Sequence, residues 1–168
     1  DGSADYLTAS SANFRSSDSA GAITGWFKTS VADNVVGVIW GASDTATADY
    51  HHFVYVEEYL YVVHKDSSLV YSLRSTQAVN DGSWHHFSIV SNGSAITMYI
   101  DGVSETIVVN SGSNNGDWFG DMTGSKLDNV TIGVVTRTSS EFFWNGSLAD
   151  IRYYSDAITA TEVATLAS

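Results

Sequence analysis

The sequence lacks cysteine and proline and contains few lysine and arginine residues. Without cysteine it can form neither disulfides nor thiolate sites. It does not need disulfides for stability, because a chain of 168 residues buries about 70% of its unfolded surface on folding. Seven Lys and Arg residues against 19 Asp and Glu residues give a net charge of −12. Such a surface repels nucleic acid and anionic lipid, so we expect neither as a partner.

Long apolar runs are also missing. No stretch approaches the ~18 apolar residues of a membrane helix, and no signal-peptide pattern opens the chain. There is no proline-rich linker, internal repeat or visible domain boundary. We therefore expect residues 1–168 to form a single domain without membrane insertion. We further expect a monomeric module excised from a larger protein that is extracellular, either secreted or at the cell surface.

The patterns that are present indicate strands. Ile96, Met98 and Ile100 alternate with Thr97 and Tyr99, as in a strand with one face in a core. Asn-Gly at 92–93 and Asp-Gly at 101–102 favour tight turns between strands. The pattern over residues 84–109 therefore predicts a three-stranded antiparallel meander. The predicted strands are 6–9, 22–30, 35–40, 52–56, 60–65, 69–73, 84–91, 95–100, 103–109, 129–134 and 146–154. So many short strands are typical of a two-sheet sandwich.

One helix is predicted near the C-terminus, where Thr159 and Glu162 fit a capping box. Two turn-rich stretches, residues 41–50 and 110–128, are predicted as long loops. Loops of this length in a compact domain are usually functional or mobile.

Five segments along the chain resemble the laminin G-like, concanavalin A-like lectin and glucanase superfamily. They include Ile-Thr-Gly-Trp-Phe-Lys-Thr at 23–29, Asp-Gly-Ser-Trp-His-His-Phe at 81–87 and Met-Tyr-Ile-Asp-Gly at 98–102. Residues 1–6 resemble the opening strand of the family, and residues 145–162 resemble its closing strand and helix. The resemblance implies an all-β fold, an antiparallel jelly-roll sandwich with one short C-terminal helix. Trp26 and Trp84 lie in these motifs, and we expect them to pack in the core.

Catalytic patterns of this superfamily are missing. Its glycosidases carry acids two positions apart on one strand, which aims them at one bond, but no two acids here have that spacing. Its polysaccharide lyases use an Arg-rich strand, whereas the four arginines here are far apart in sequence. No nucleophile elbow, zinc-protease motif or phosphate loop is present. We therefore expect no enzymatic activity.

The sequence contains candidate residues for two kinds of metal site. The pairs His51-His52 and His85-His86 lie on predicted strands, where neighbours point to opposite faces, so neither pair is expected to chelate a metal. In each pair we expect one packed and one exposed side chain. The resemblance implies a structural Ca²⁺ where the opening and closing strands meet, with Asp1 and Asp150 as ligands. In the laminarinase-type relatives the ligand lies one position earlier, where this chain has Ala149.

A ligand site is predicted on the rim formed by the two long loops. Trp118 lies among polar residues, and a ring so placed can stack on the apolar face of a sugar. Asp117 and Asn115 would bind hydroxyl groups, and Trp40 and Tyr50 flank the other loop. The alternative is that Trp118 folds back as a plug over the core.

We predict a non-catalytic, lectin-like module of a secreted adhesin or a polysaccharide-degrading enzyme, whose partner is a glycan or another cell-surface ligand. A protein- or peptide-binding adhesion module and a structural spacer of the same fold remain alternatives, because this fold hosts all of these functions.

The calcium hypothesis predicts a metal-dependent melting temperature. A ligand that binds only the folded state stabilises it by about 2.7 kcal/mol at a hundredfold excess over its Kd. Melting should therefore occur at a higher temperature in calcium than in chelator, and Asp150→Ala should remove the difference. Identical melting curves for both proteins in both buffers would contradict the hypothesis.

Overall fold

The chain folds as two antiparallel sheets packed face to face. A computed structural model describes residues 5–10, 17–124 and 126–168. The strands are β1 (Leu7–Ser10), β2 (Gly21–Lys28), β3 (Gly37–Ser43), β4 (Tyr50–Val56), β5 (Tyr59–Asp66), β6 (Ser68–Ala78), β7 (Trp84–Ser91), β8 (Ile96–Ile100), β9 (Val103–Ser104), β10 (Val108–Gly112), β11 (Asn129–Ile132), β12 (Val135–Thr136), β13 (Ser140–Glu141) and β14 (Ser147–Tyr154). One sheet has the order β1-β11-β3-β4-β5-β6-β10, the other has the order β14-β2-β7-β8-β9, and β12-β13 form a separate hairpin. The predicted antiparallel sandwich is confirmed.

The turns after β7 and β8 form where the sequence predicts them. The side-chain oxygen of Asn92 accepts hydrogen bonds from the backbone N–H groups of Ser94 and Ala95, both at 2.9 Å. Asp101 and Gly102 adopt φ angles of +51° and +80°, as this tight turn requires. The predicted third strand of the meander is only partly correct, because β9 ends at Ser104. The chain then crosses to the other sheet, where β10 pairs with β6.

The core lies between the two sheets. The largest fully buried side chains are Trp118, Tyr71, Phe27, Phe87, Phe119, Ile23, Ile39, Leu60, Leu73, Ile89, Met98 and Ile100. Trp26 and Trp84 belong to the opposite side of the five-stranded sheet. Trp84 is 45% exposed and Trp26 is half-buried, so the prediction that they pack in the core is wrong. The cause is strand alternation, since Phe27, one position from Trp26, and Phe87, three positions from Trp84, take the core side.

All five histidines are buried. The prediction that one member of each pair would be exposed is therefore wrong. His52 faces the core, while His51 lies on the other side of the sheet beside Phe53, at 5.1 Å between ring centroids. In the second pair, His85 contacts Phe27 and His86 contacts Trp26. The opposite orientation of neighbours is confirmed, and both sides of the sheets are covered at these positions.

The C-terminal helix α1 spans Ala160–Leu166 and has the predicted capping box. Thr159 N–H donates to the Glu162 carboxylate at 2.7 Å, and Glu162 N–H donates to the Thr159 hydroxyl at 3.3 Å. Val163 packs against the outer side of the five-stranded sheet. In the part of the chain that the structure describes, no helix is long and apolar enough to cross a membrane.

The two predicted loops differ from expectation in length and in packing. β3 extends to Ser43 and β4 begins at Tyr50, so only residues 44–49 connect them. In the second loop, Trp118 is fully buried, and its ring centroid lies 4.8 Å from that of His52. The loop is fixed on both sides of this ring. Tyr71 hydroxyl donates to the Asp117 carbonyl at 2.8 Å, and Gly120 N–H donates to the Asp18 carbonyl at 2.7 Å.

Trp118 is therefore a plug over the core, and its predicted role as an exposed stacking platform is wrong. Trp40 is buried as well, with 3% exposure. Glycine makes room for the plug, since a Cβ at Gly21 would lie 2.8 Å from the Trp118 indole nitrogen. Polar neighbours in the sequence suggested exposure, but the backbone hydrogen bonds of the loop turn the ring inward.

Replacement of Trp118 by alanine should destabilise the fold. Loss of a fully buried Trp side chain costs about 3–5 kcal/mol in free energy of unfolding. The matched control is Trp84→Ala, which removes a ring that is 45% exposed and should cost about 1 kcal/mol or less. Urea denaturation measures both. Equal stability losses for the two variants would contradict the plug assignment.

Candidate functional site

The structure brings the two predicted loops together, but the predicted tryptophans do not present an exposed aromatic ring there. The Asp128 carboxylate accepts hydrogen bonds from Thr45 N–H at 3.0 Å and from the Thr45 hydroxyl at 2.8 Å, which joins the loops. Tyr50 is half-buried, with the Lys126 ammonium 5.6 Å from its ring centroid. Asn115 is exposed, and its side chain accepts from Asp117 N–H at 3.2 Å. With Trp118 and Trp40 buried, the predicted residues do not form a stacking site.

The predicted calcium ligands are not assembled. Asp1 lies outside the described residues. The two oxygens of Asp150 accept hydrogen bonds from Arg152, at 2.8 Å from Nε and 2.6 Å from the terminal nitrogen. Asp150 lies in a β-bulge with a φ of +52°. Among the residues described, no cluster of three His, Cys, Asp or Glu side chains is placed to hold a metal. Asp150 as it lies does not fit a calcium ion, and the calcium hypothesis stays a prediction.

A groove of about 620 Å³ marks the place where the opening and closing strands meet. Tyr6 and Leu7 line one wall, while Leu148 and Ile151 line the other. Its carboxylates are those of Asp5 and Asp150, and the latter is bound by Arg152. The groove lining is about equally polar and apolar, and Arg152 already occupies one of its two carboxylates.

The outer face of the seven-stranded sheet, the side turned away from the core, is different in character. Part of it is covered by the hairpin β12-β13, whose Val135 packs on Val38, Phe53 and Val63. Ser43 hydroxyl donates to the Thr136 carbonyl, which holds the hairpin against β3. His51 lies beneath this cover, and its pKa is lowered to about 3. Burial is the main cause, and the positive charge of Arg137 lowers the pKa further. Beyond the hairpin, the next row of side chains along β4, β5 and β6 is only partly buried.

The part beyond the hairpin carries what we call the Tyr–Arg face: Tyr55, Tyr59, Tyr61 and Arg74. Strand pairing builds it, since Tyr55 is the register partner of Tyr61, and Tyr61 is the partner of Arg74. Side chains at paired positions stand on the same side of the sheet, about 5 Å apart. The rings of Tyr55 and Tyr61 stack with centroids 4.5 Å apart and planes within 10°. The Arg74 guanidinium lies over Tyr59, 4.4 Å from its ring centroid.

Arg74 is the cation of the Tyr–Arg face, and Glu57 and Glu58 place negative charge beside its tyrosines. The Arg74 guanidinium donates to the Ser75 carbonyl at 3.0 Å, and no carboxylate of the described residues forms an ion pair with it. By contrast, Arg137 and Arg152 are each bound by a carboxylate. Arg74 therefore keeps donors for a ligand, on a chain whose net charge is −12.

The tyrosine hydroxyls stay protonated on this face. Burial raises the pKa of Tyr55, and Tyr61 and the charge of Glu57 raise it further. Burial and Glu57 also raise the pKa of Tyr61. Protonated hydroxyls both donate and accept hydrogen bonds, so the face combines aromatic rings, neutral hydroxyls and one guanidinium. Such a surface can bind a polar ligand that has apolar C–H patches and an anionic group.

Sequence patterns did not single out these four residues, although a signal was present. The segment from Tyr55 to Tyr61 turns around Glu57 and Glu58, which places the two tyrosines opposite each other. Tyrosines that alternate with core valines and a leucine belong to the side away from the core. The pairing partner in β6 could not be found in this way, because it depends on the register between β5 and β6.

Comparisons with known proteins agree with this architecture. The structure is similar to the CBM40 domain of the Ruminococcus gnavus IT-sialidase bound to α2,3-sialyllactose, with a TM-score of 0.78 and 16% identity over 94% of this chain and 87% of that one. It is also similar to the leech intramolecular trans-sialidase, with a TM-score of 0.75 and 16% identity over 92% of this chain and 24% of that one. The Limulus polyphemus SAP-like pentraxin gives a TM-score of 0.63 and 20% identity over 90% of this chain and 70% of that one.

Similarity at these identities establishes the fold and not the ligand. No curated protein matches the sequence. A family model described as the concanavalin A-like lectin/glucanases superfamily, of the laminin G type, matches residues 1–164. The chain therefore belongs to this laminin G-type family of the concanavalin A-like lectin/glucanases superfamily.

Proposed function

We propose that this domain is a non-catalytic glycan-binding module and that the Tyr–Arg face is its binding surface. The observation that carries the proposal is the row in which the stacked rings of Tyr55 and Tyr61 adjoin Arg74. Sugars present C–H patches to aromatic rings and hydroxyl groups to hydrogen-bonding side chains, and both are available here.

The free donors of Arg74 favour a sugar that carries a carboxylate. A guanidinium binds a carboxylate through two parallel hydrogen bonds, which adds orientation as well as affinity. The R. gnavus CBM40 domain, similar in fold, is described in complex with sialyllactose, an acidic glycan. We take the same class of ligand as the first candidate for this chain.

The positions of the acidic residues in the sequence support a role in binding without catalysis. Glu57 and Glu58 are neighbours at the turn between β4 and β5. No two carboxylates in the sequence are two positions apart, which is the spacing that places acids together on one strand face. We propose that the module acts outside the cell, where acidic surface glycans are found, as part of an adhesin or a carbohydrate-active enzyme.

A glycan array followed by calorimetry with α2,3-sialyllactose tests the proposal. Tyr61→Ala should weaken binding about 2- to 10-fold, because an aromatic contact contributes about 0.5–1.5 kcal/mol beyond area burial. Arg74→Ala should weaken binding of acidic glycans about 10- to 100-fold, because a hydrogen bond to a charged group contributes about 1.5–3 kcal/mol. Arg74→Lys keeps the charge without the bidentate geometry and should give an intermediate loss.

Trp84→Ala is the matched control, since it removes an exposed aromatic ring from the other sheet and should leave affinity unchanged. All variants are to be compared with wild type by melting temperature. Glycan binding that survives both Tyr61→Ala and Arg74→Ala would place the site elsewhere. An array without hits would favour the alternatives of a protein-binding adhesion module or a spacer.

A further inference from the structure

Two histidines meet inside the core beneath the second loop. His52 of β4 and His64 of β5 are fully buried, and their Nδ1 atoms lie 3.1 Å apart. The Nε2 atoms of both rings have no hydrogen-bond partner. Aromatic rings surround the pair: Tyr71 from β6 stacks on His64, and Trp118 and Phe119 from the loop contact His52 at 4.8 and 4.9 Å between centroids.

This geometry holds one proton between the two rings. A hydrogen bond between two Nδ1 atoms needs one donor and one acceptor, so two neutral imidazoles in this geometry have opposite tautomers. Another proton on the accepting Nδ1 would leave two N–H groups facing each other. A proton on an Nε2 atom would create a cation in an apolar core with no partner. Either outcome is unfavourable while the core is closed.

The charged groups around the pair do not remove this conflict. Burial lowers the pKa of His52, and the neighbouring His64 and His51 lower it further. Burial also lowers the pKa of His64, although the carboxylates of Asp117, Asp66 and Asp121 oppose the effect. Tyr71 stays neutral because burial raises its pKa.

The loop is the side of this enclosure that can open. The pair is otherwise packed against strands of the seven-stranded sheet, whereas the loop lies outside the paired strands and is held by individual hydrogen bonds and by the burial of Trp118 and Phe119. Asp66 accepts from Thr123 N–H at 3.1 Å and from the Thr123 hydroxyl at 2.7 Å, and Tyr71 binds the Asp117 carbonyl. The other Asp66 oxygen is buried without a partner, so this attachment is incompletely satisfied.

We propose that His52 and His64 form an acid-sensitive latch, in which proton uptake by the pair releases residues 113–124 and exposes Trp118. The sign follows from linkage. Because the closed state lowers the pKa of both histidines, the open state binds protons more tightly. Closure is therefore most stable above the ordinary histidine pKa of 6.5 and weakens as the pH falls below it. The proposal is independent of glycan binding at the Tyr–Arg face.

Amide hydrogen exchange across the pH range tests the latch directly. After correction for intrinsic rates, the amides of Trp118, Gly120 and Asp121 should lose protection by at least about tenfold between about pH 7.5 and about pH 5. The amides of β7 should keep theirs. Loop amides that stay protected to about pH 4.5, or that lose protection together with β7, would overturn the proposal.

Paired variants identify the titrating groups. The double variant His52→Asn, His64→Asn keeps a buried pair of hydrogen-bonding groups that does not titrate in this range, so the loss of loop protection should disappear. His51→Asn makes the same change at the adjacent residue on the opposite side of the strand, and the loss should persist. A pH response unchanged in the double variant would overturn the proposal.

A measurement on the wild-type protein does not depend on these variants folding. Nitrogen chemical shifts of the imidazole rings report the protonation state of each histidine. At about pH 6, with the loop closed, the rings of His52 and His64 should both be neutral and of opposite tautomers. An imidazolium signal from either ring in the closed state would overturn the latch.

Discussion

The packing of Trp118 and Phe119 between the sheets connects the parts of this molecule. Phe119 contacts Trp40 of the seven-stranded sheet at 5.4 Å and Tyr153 of the five-stranded sheet at 5.6 Å between ring centroids. Trp118 lies against His52. Because two rings from one loop touch both sheets, the loop belongs to the core even though its sequence is polar. Its polar groups bind one another and the neighbouring backbone, as Trp118 N–H does with the Asp121 carboxylate at 2.8 Å.

This closure leaves several polar atoms inside the core. The indole nitrogen of Trp118 and the Nε2 atoms of His52 and His64 are buried without partners. Each such atom costs free energy, since a buried unsatisfied donor or acceptor loses its bonds to water. An apolar core would avoid the cost. The two imidazoles among these groups can take up a proton, and this is the basis of the latch proposed for the histidine pair.

The outer face of the seven-stranded sheet is divided by the hairpin β12-β13. Beneath the hairpin, Phe53 and Val63 are buried like core residues. Beyond it, the next row along the same strands holds Tyr55, Tyr61 and Arg74, and these side chains are only partly covered. The same pleat therefore produces a second small core and a partly exposed surface, and the position of one short hairpin separates them. Arg74 on that surface forms no ion pair with a carboxylate of the described residues, and this is the basis of the proposal that the module prefers acidic glycans.

The sequence by itself determined the class of fold, the tight turns at 92–93 and 101–102, and the capped C-terminal helix, because these features depend on residues close together in the chain. It also excluded the paired acids and the disulfides that some functions require. Tertiary structure decided which side of each strand is covered. Trp118 became a plug and Trp84 remained exposed because burial depends on distant packing partners, and polarity of the local sequence does not report them. The Tyr–Arg face and the pair of His52 and His64 exist only through the pairing of β4, β5 and β6, whose register is set by contacts across the whole sheet.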